Sequence, residues 1–225
     1  MTHSGIFILI AGANASGKSS VIKPKYIDGR IEHYLDPDRP ELLIHDNLKN
    51  RHPESFVLGD IKEILTEKSL AIFKRVMSQP ENDLLKGAFA IECMEDWLSS
   101  AIFRQEGIAT ESNLVTKHDR ELFQTAKEHN MRTELYYVGL PVNTAKEREI
   151  QRVANGEQNK IDHVKLERRY HKALKINIHK HINSGNIDLV TFYDNSRAKG
   201  QDVEVMHIEN GKGTLQNKPN DWDHG

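Results

Sequence analysis

Only one cysteine, Cys93, occurs in the 225 residues, so no disulfide can form within the chain. This fits a reducing compartment, with Cys93 as a packed thiol rather than a nucleophile. Neither sign of charge dominates: 31 Lys and Arg stand against 33 Asp and Glu, for a formal charge of -2. There is thus no global basic field to draw nucleic acid or an anionic membrane. Long hydrophobic runs are missing as well. The run "IFILIA" near the start has no basic lead-in and falls far short of the ~20 residues that span a bilayer. It reads as a first strand, and the chain as cytoplasmic, without membrane partners. Internal repeats, low-complexity tracts and clear linkers are absent too, so residues 1–225 read as a single domain, a size at which one α/β core is well supported.

What is present begins at residue 11, with "AGANASGKSS". Gly12, four residues, then Gly17, Lys18 and Ser19 is the spacing of a phosphate-binding P-loop. It follows a β-branched apolar run and precedes a helical "KSSVIK", the strand-loop-helix context that gives the motif its meaning. Glycines let backbone N–H groups turn toward anionic oxygens, and the following helix adds its positive end. Gly12, Asn14, Ala15, Ser16, Gly17, Lys18, Ser19 and Ser20 are therefore the expected contacts to ATP, with Lys18 on the β- and γ-phosphates and Ser19 as ligand to Mg²⁺. Pro24 should shorten or kink the helix that follows.

Further along, "RIEHYLDPDRPE" reads as a short strand ending at Asp36, Pro37 and Asp38. Helical spacing of apolar residues runs from 59 to 79, and a second helical stretch closes at Gly107. A strand "IATES", a helix "DRELFQTAKEHNM" and a strand "RTELYYVGLP" follow. Next come a helix "VNTAKEREIQRVANG", a longer basic helix "DHVKLERRYHKALKINIHKHINSG" and a buried-type strand "IDLVTFYDNS". Asn210-Gly211 between two strand-like runs marks a hairpin at about 203–217. This order predicts an α/β P-loop NTPase/kinase-like fold, a mostly parallel doubly wound sheet flanked by helices. Within it, about 40–106 forms a helical acceptor or insert region and about 143–184 the basic lid helices.

A P-loop alone does not name the reaction. A nucleotide-dependent switch needs an apolar strand ending in an Asp that holds Mg²⁺ through water, and "LVTFYD", ending at Asp194, fits superficially. A small-molecule kinase instead needs a carboxylate to take the acceptor hydroxyl's proton and arginines to spread the transferring charge. Asp38, and Arg148, Arg152, Arg168 and Arg169 on the two helices after Pro141, supply these ingredients. On the residues alone, Asp38 also fits a turn or helix cap, and the arginine pair a solvated helix face.

The segments "AGANASGKSS", "DPD", "ATESNL", "YYVGLP", "REIQRVANG", "ERRY" and "FYDNS" occur in the order and approximate spacing of motifs in zeta-toxin-like P-loop kinases, and the chain resembles that family over roughly residues 5 to 200. The resemblance implies Asp38 as catalytic base and Glu111 as a residue lining the acceptor site. It also implies Arg152 and one of Arg168 or Arg169 around the γ-phosphate, and Asp194 and Asn195 in the segment near the nucleotide base. The acceptor it implies is the hydroxyl of a small molecule, with UDP-N-acetylglucosamine the first to consider, and a small antitoxin protein as partner. The chain departs from the family at Ser112 and Asn113, where two threonines are common, so that an amide at Asn113 replaces a hydroxyl contact to the acceptor. It departs again at "NGEQN", where many members have Gly-Gly-His.

Rival assignments also stand. Glu92 competes with Glu111 as an acceptor-site carboxylate. His179 and His181, with His171 nearby, suggest a metal, but the first two sit two residues apart on a helix and point to different faces, and no carboxylate or cysteine completes a set. The basic run from Lys165 to His181 lacks interleaved aromatics beyond Tyr170, so nucleic acid is not the expected partner and a polynucleotide-end kinase ranks last.

Overall fold

Ile6–Ala11 form strand β1, with every side chain buried, as expected for an apolar run covered on both faces of a parallel sheet. The computed structural model describes residues 5–19, 29–36, 66–79, 83–114, 116–155, 162–196, 203–209 and 212–215. Strand β2 spans His33–Leu35, followed by helices α1 (Glu67–Ser78) and α2 (Asp83–Phe103), strand β3 (Ile108–Ser112), helix α3 (His118–Glu128) and strand β4 (Arg132–Gly139). Helices α4 (Val142–Ala154) and α5 (His163–Lys172), a π-helical stretch (Ala173–Asn177) and α6 (Ile178–Ile182) then lead to strands β5 (Leu189–Asp194), β6 (Val203–Glu209) and β7 (Lys212–Leu215).

The seven strands order as β2-β3-β1-β4-β5-β6-β7. The first five are parallel, and the last two add an antiparallel edge, as the hairpin pattern predicts. Alternation along β1 splits the core. Phe7, Leu9 and Ala11 face a large cluster with Leu98, Ile102, Phe123 and Leu135. Ile6, Ile8 and Ile10 face the other way, with Ala109, Tyr136 and Val138. Each buried Phe, Leu or Ile among them contributes roughly 1.5–3 kcal/mol, so β1 is firmly anchored between the two clusters.

The long basic helix read from the sequence is interrupted. Five residues from Ala173 to Asn177 take the wider π turn. That turn lags the helical phase, so Ile178 and His181 stay on the buried side with Leu166, Tyr170 and Ala173. Asn177 fixes the bulge by donating its side-chain amide to Leu114 O at 2.6 Å. Pro24, Asp38, Ser20, Gly156, Asn210 and Gly211, and the region 40–65, lie outside the described residues. Among the described residues no helix is long and apolar enough to cross a membrane.

Candidate phosphate-binding site

At the end of β1 the chain turns sharply. Gly12 N donates to Ser112 O at 3.2 Å, and a Cβ on Gly12 would lie 2.4 Å from Val138 O and 2.6 Å from Ser16 Oγ. Glycine is therefore required for steric reasons at this position. Ala15 and Gly17 adopt φ of 62° and 88°, and the left-handed conformation costs Ala15 about 1–2 kcal/mol. Ser16 N closes the turn on Ala13 O at 3.1 Å. Ser16 is fully buried, and its hydroxyl has no hydrogen-bond partner among the described residues. Lys18 and Ser19 open the helix that follows. Lys18 folds back so that Nζ donates to the carbonyls of Gly12 and Ala13, each at 3.3 Å.

The carboxylate beside this lysine is Glu111. It sits near the end of β3, with Oε2 3.8 Å from Lys18 Nζ, and Oε1 accepts from Ser19 Oγ at 2.9 Å. The same oxygen accepts from the Tyr34 hydroxyl. A serine hydroxyl and a carboxylate side by side, next to a lysine and the loop amides, form a hard-oxygen set of the kind Mg²⁺ takes beside phosphates, so these residues fit the ion. Asp194, the aspartate that the switch-type pattern offers, ends β5, two strands from β1, and its carboxylate accepts from Ser196 N at 2.9 Å. Glu111, which the resemblance implies at the acceptor site, lies within reach of both Lys18 and Ser19.

Behind the loop, Asn195 donates its side-chain amide to Ser16 O at 2.7 Å and its backbone N–H to Gly139 O at 3.0 Å. Arg148 on α4 donates to Asn195 O at 2.8 Å, and burial lowers the pKa of its guanidinium from the ordinary value. Ala13 of the loop packs with Leu140, Val142, Ala145, Leu166 and Tyr170, so α4 and α5 are seated on the loop. The Lys146–Glu167 ion pair at 2.8 Å ties these two helices together. They carry the candidate arginines: Arg152 and Arg169 are half-buried and Arg168 is exposed. Asn14 is half-buried in the loop. Asn113, just past β3, is half-buried, and its Oδ1 has no partner among the described residues.

Asp38 and Ser20 are not among the described residues, but β2 runs parallel to β3. Its end, with buried Asp36, therefore lies at the same sheet edge as the P-loop. Of the rival residues, Glu92 pairs with Lys68 at 2.6 Å. His181 is buried while His179 is exposed, as their spacing requires. Cys93 is buried and donates to Ser69 O at 3.3 Å, and burial pushes its pKa up to about 12, which leaves it a poor nucleophile. Sequence reasoning missed Tyr34 and the link from Arg148 through Asn195 to the loop. The only signal for Tyr34 was its place two residues before Asp36.

No protein-family model matches the chain, and no curated protein does. Among solved structures it is similar to the native AvrRxo1-ORF1:ORF2 complex, with a TM-score of 0.60 at 12% identity, covering 95% of this chain and 61% of that one. The same values hold for that complex with ATP. It is also similar to a structure of the PezAT chromosomal toxin-antitoxin system of Streptococcus pneumoniae, with a TM-score of 0.54 at 16% identity, covering 88% of this chain and 71% of that one. The chain thus spans 61% of the length of the first of these. At such identities the likeness shows the fold alone, the mostly parallel sheet flanked by helices that this chain shares with these structures.

Proposed function

We propose that the chain is a phosphotransferase that moves the γ-phosphoryl group of ATP to a hydroxyl of a small molecule. The observation that carries this is the built P-loop. Lys18 lies over strained backbone at the end of β1, Glu111 and Ser19 form an oxygen set beside it, and two arginine-bearing helices pack on its far side. In this reading the loop amides and Lys18 hold the β- and γ-phosphates. Ser19 and Glu111 hold Mg²⁺, which neutralises charge on the phosphate oxygens when bound. Arg152 and Arg168 or Arg169 spread charge over the transferring group, and Asp38 takes the acceptor's proton. Nothing covalent is asked of the protein; positioning and electrostatics lower the barrier.

The acceptor in this proposal is a nucleotide sugar, UDP-N-acetylglucosamine first, and the role is that of a zeta-type toxin with a small antitoxin partner. The PezAT likeness supports that role, and the likeness to a complex with ATP supports the choice of nucleotide. The test is ATP turnover by purified protein with Mg²⁺, with and without a panel of nucleotide sugars, the products being weighed by mass spectrometry. A phosphorylated acceptor should appear, and Asp38→Asn should slow its formation about 10²-fold, the scale of a lost general base, while ATP still binds. Hydrolysis that no acceptor stimulates would replace this reading with a nucleotide-dependent switch.

A further inference from the structure

Tyr34 lies in the middle of β2, paired in register with Ala109 of β3. Its ring is packed against the cluster of Ile8, Ile10 and Tyr136, on the sheet face that also carries Glu111 two residues beyond Ala109. Its hydroxyl donates to Glu111 Oε1, the atom that also accepts from Ser19 Oγ at 2.9 Å. Burial, followed by the charge of Glu111 and that of Asp36, raises the phenol's pKa far above its ordinary value.

The arrangement divides the labour of one carboxylate. Oε1 is held by two hydroxyl donors, and this orients Oε2, which lies 3.8 Å from Lys18. Without the phenol, Glu111 would be free to close further on the lysine it already pairs with at 3.8 Å, where a tighter ion pair would withdraw both groups from a nucleotide. We propose that Tyr34 is a positioning residue that holds Glu111 against Ser19. It thereby couples the strand leading to Asp38 to the serine that ligates the metal. This rests on the P-loop reading above and adds to it a residue that the motif does not contain.

Tyr34→Phe removes one oxygen and leaves the ring packing in place. The measurement is a titration of wild type, Tyr34→Phe, Glu111→Gln and the double variant with a fluorescent ATP analogue, once in excess Mg²⁺ and once in EDTA. Wild type should bind more tightly with the ion. Tyr34→Phe should lose roughly tenfold of affinity in Mg²⁺, the scale of one hydrogen bond to a charged group, and little in EDTA. On the Glu111→Gln background the same change should add almost nothing, because the phenol acts through that carboxylate. Equal losses in Mg²⁺ and EDTA, or additive losses in the double variant, would mean a purely structural tyrosine and overturn the proposal. So would a Mg²⁺ dependence that Tyr34→Phe leaves unchanged. Wild type that binds no nucleotide would instead bring down the P-loop reading itself, a result separate from any of these.

Discussion

His181, in the last turn of α6, has 1% of its surface exposed. Its ring stands edge-on to Phe123 at 5.9 Å, and neither ring nitrogen is hydrogen-bonded among the described residues. Burial pulls its pKa from 6.5 down to about 4, with Asp119 opposing and Arg120 reinforcing the shift. The unfolded chain therefore binds this proton more readily than the folded one. Stability from the neutral imidazole is whole above pH 6.5 and is lost as pH falls toward 4. The gap corresponds to about 3 kcal/mol in full, with about 2 kcal/mol of it gone by pH 5. His181→Phe keeps a flat ring against Phe123 and removes both unpartnered nitrogens, so it should be neutral or stabilising at pH 7.5. Urea unfolding of both proteins at pH 7.5 and 5.0 isolates the effect, since ion pairs such as Lys127–Asp188 are common to both. The variant should lose about 2 kcal/mol less than wild type across that range. Equal losses in the two proteins would refute the assignment of the titration to His181.

Two further changes test the loop. Gly12→Ala places a Cβ 2.4 Å from Val138 O, and because that neighbour is backbone of the central sheet, it is the loop that must move. Titration with a fluorescent ATP analogue should show binding lost while the far-UV circular dichroism is retained; wild-type affinity would show that the loop's shape is not what binds. Asn195→Ala removes the donor to Ser16 O and should destabilise the fold by about 1 kcal/mol and weaken ATP several-fold. An unchanged melting temperature together with unchanged affinity would mean that Asn195 does not hold the loop.

What was legible in the sequence was local. β1 was readable because a strand buried on both faces has no polar side to hide, and the P-loop because its glycines answer to backbone demands that no other residue meets. The π stretch was not, since "RRYHKALKINIHKH" satisfies a helical period throughout. The cause of the bulge lies in part 63 residues away, at Leu114. The carboxylates show the same division more sharply. Glu111 and Asp194 both lie at or near the end of a largely buried strand, and by local pattern Asp194 is the better match to a metal-holding aspartate. In the strand order β3 borders β1 while β5 is separated from it by β4, and the carboxylate that meets Ser19 is Glu111. Tyr34 follows from that order and from nothing earlier. Once β2 pairs with β3 at Tyr34 and Ala109, the pleat puts the phenol on the face of Glu111. A residue that looks like strand filler in the sequence thus becomes a donor to the carboxylate beside the P-loop.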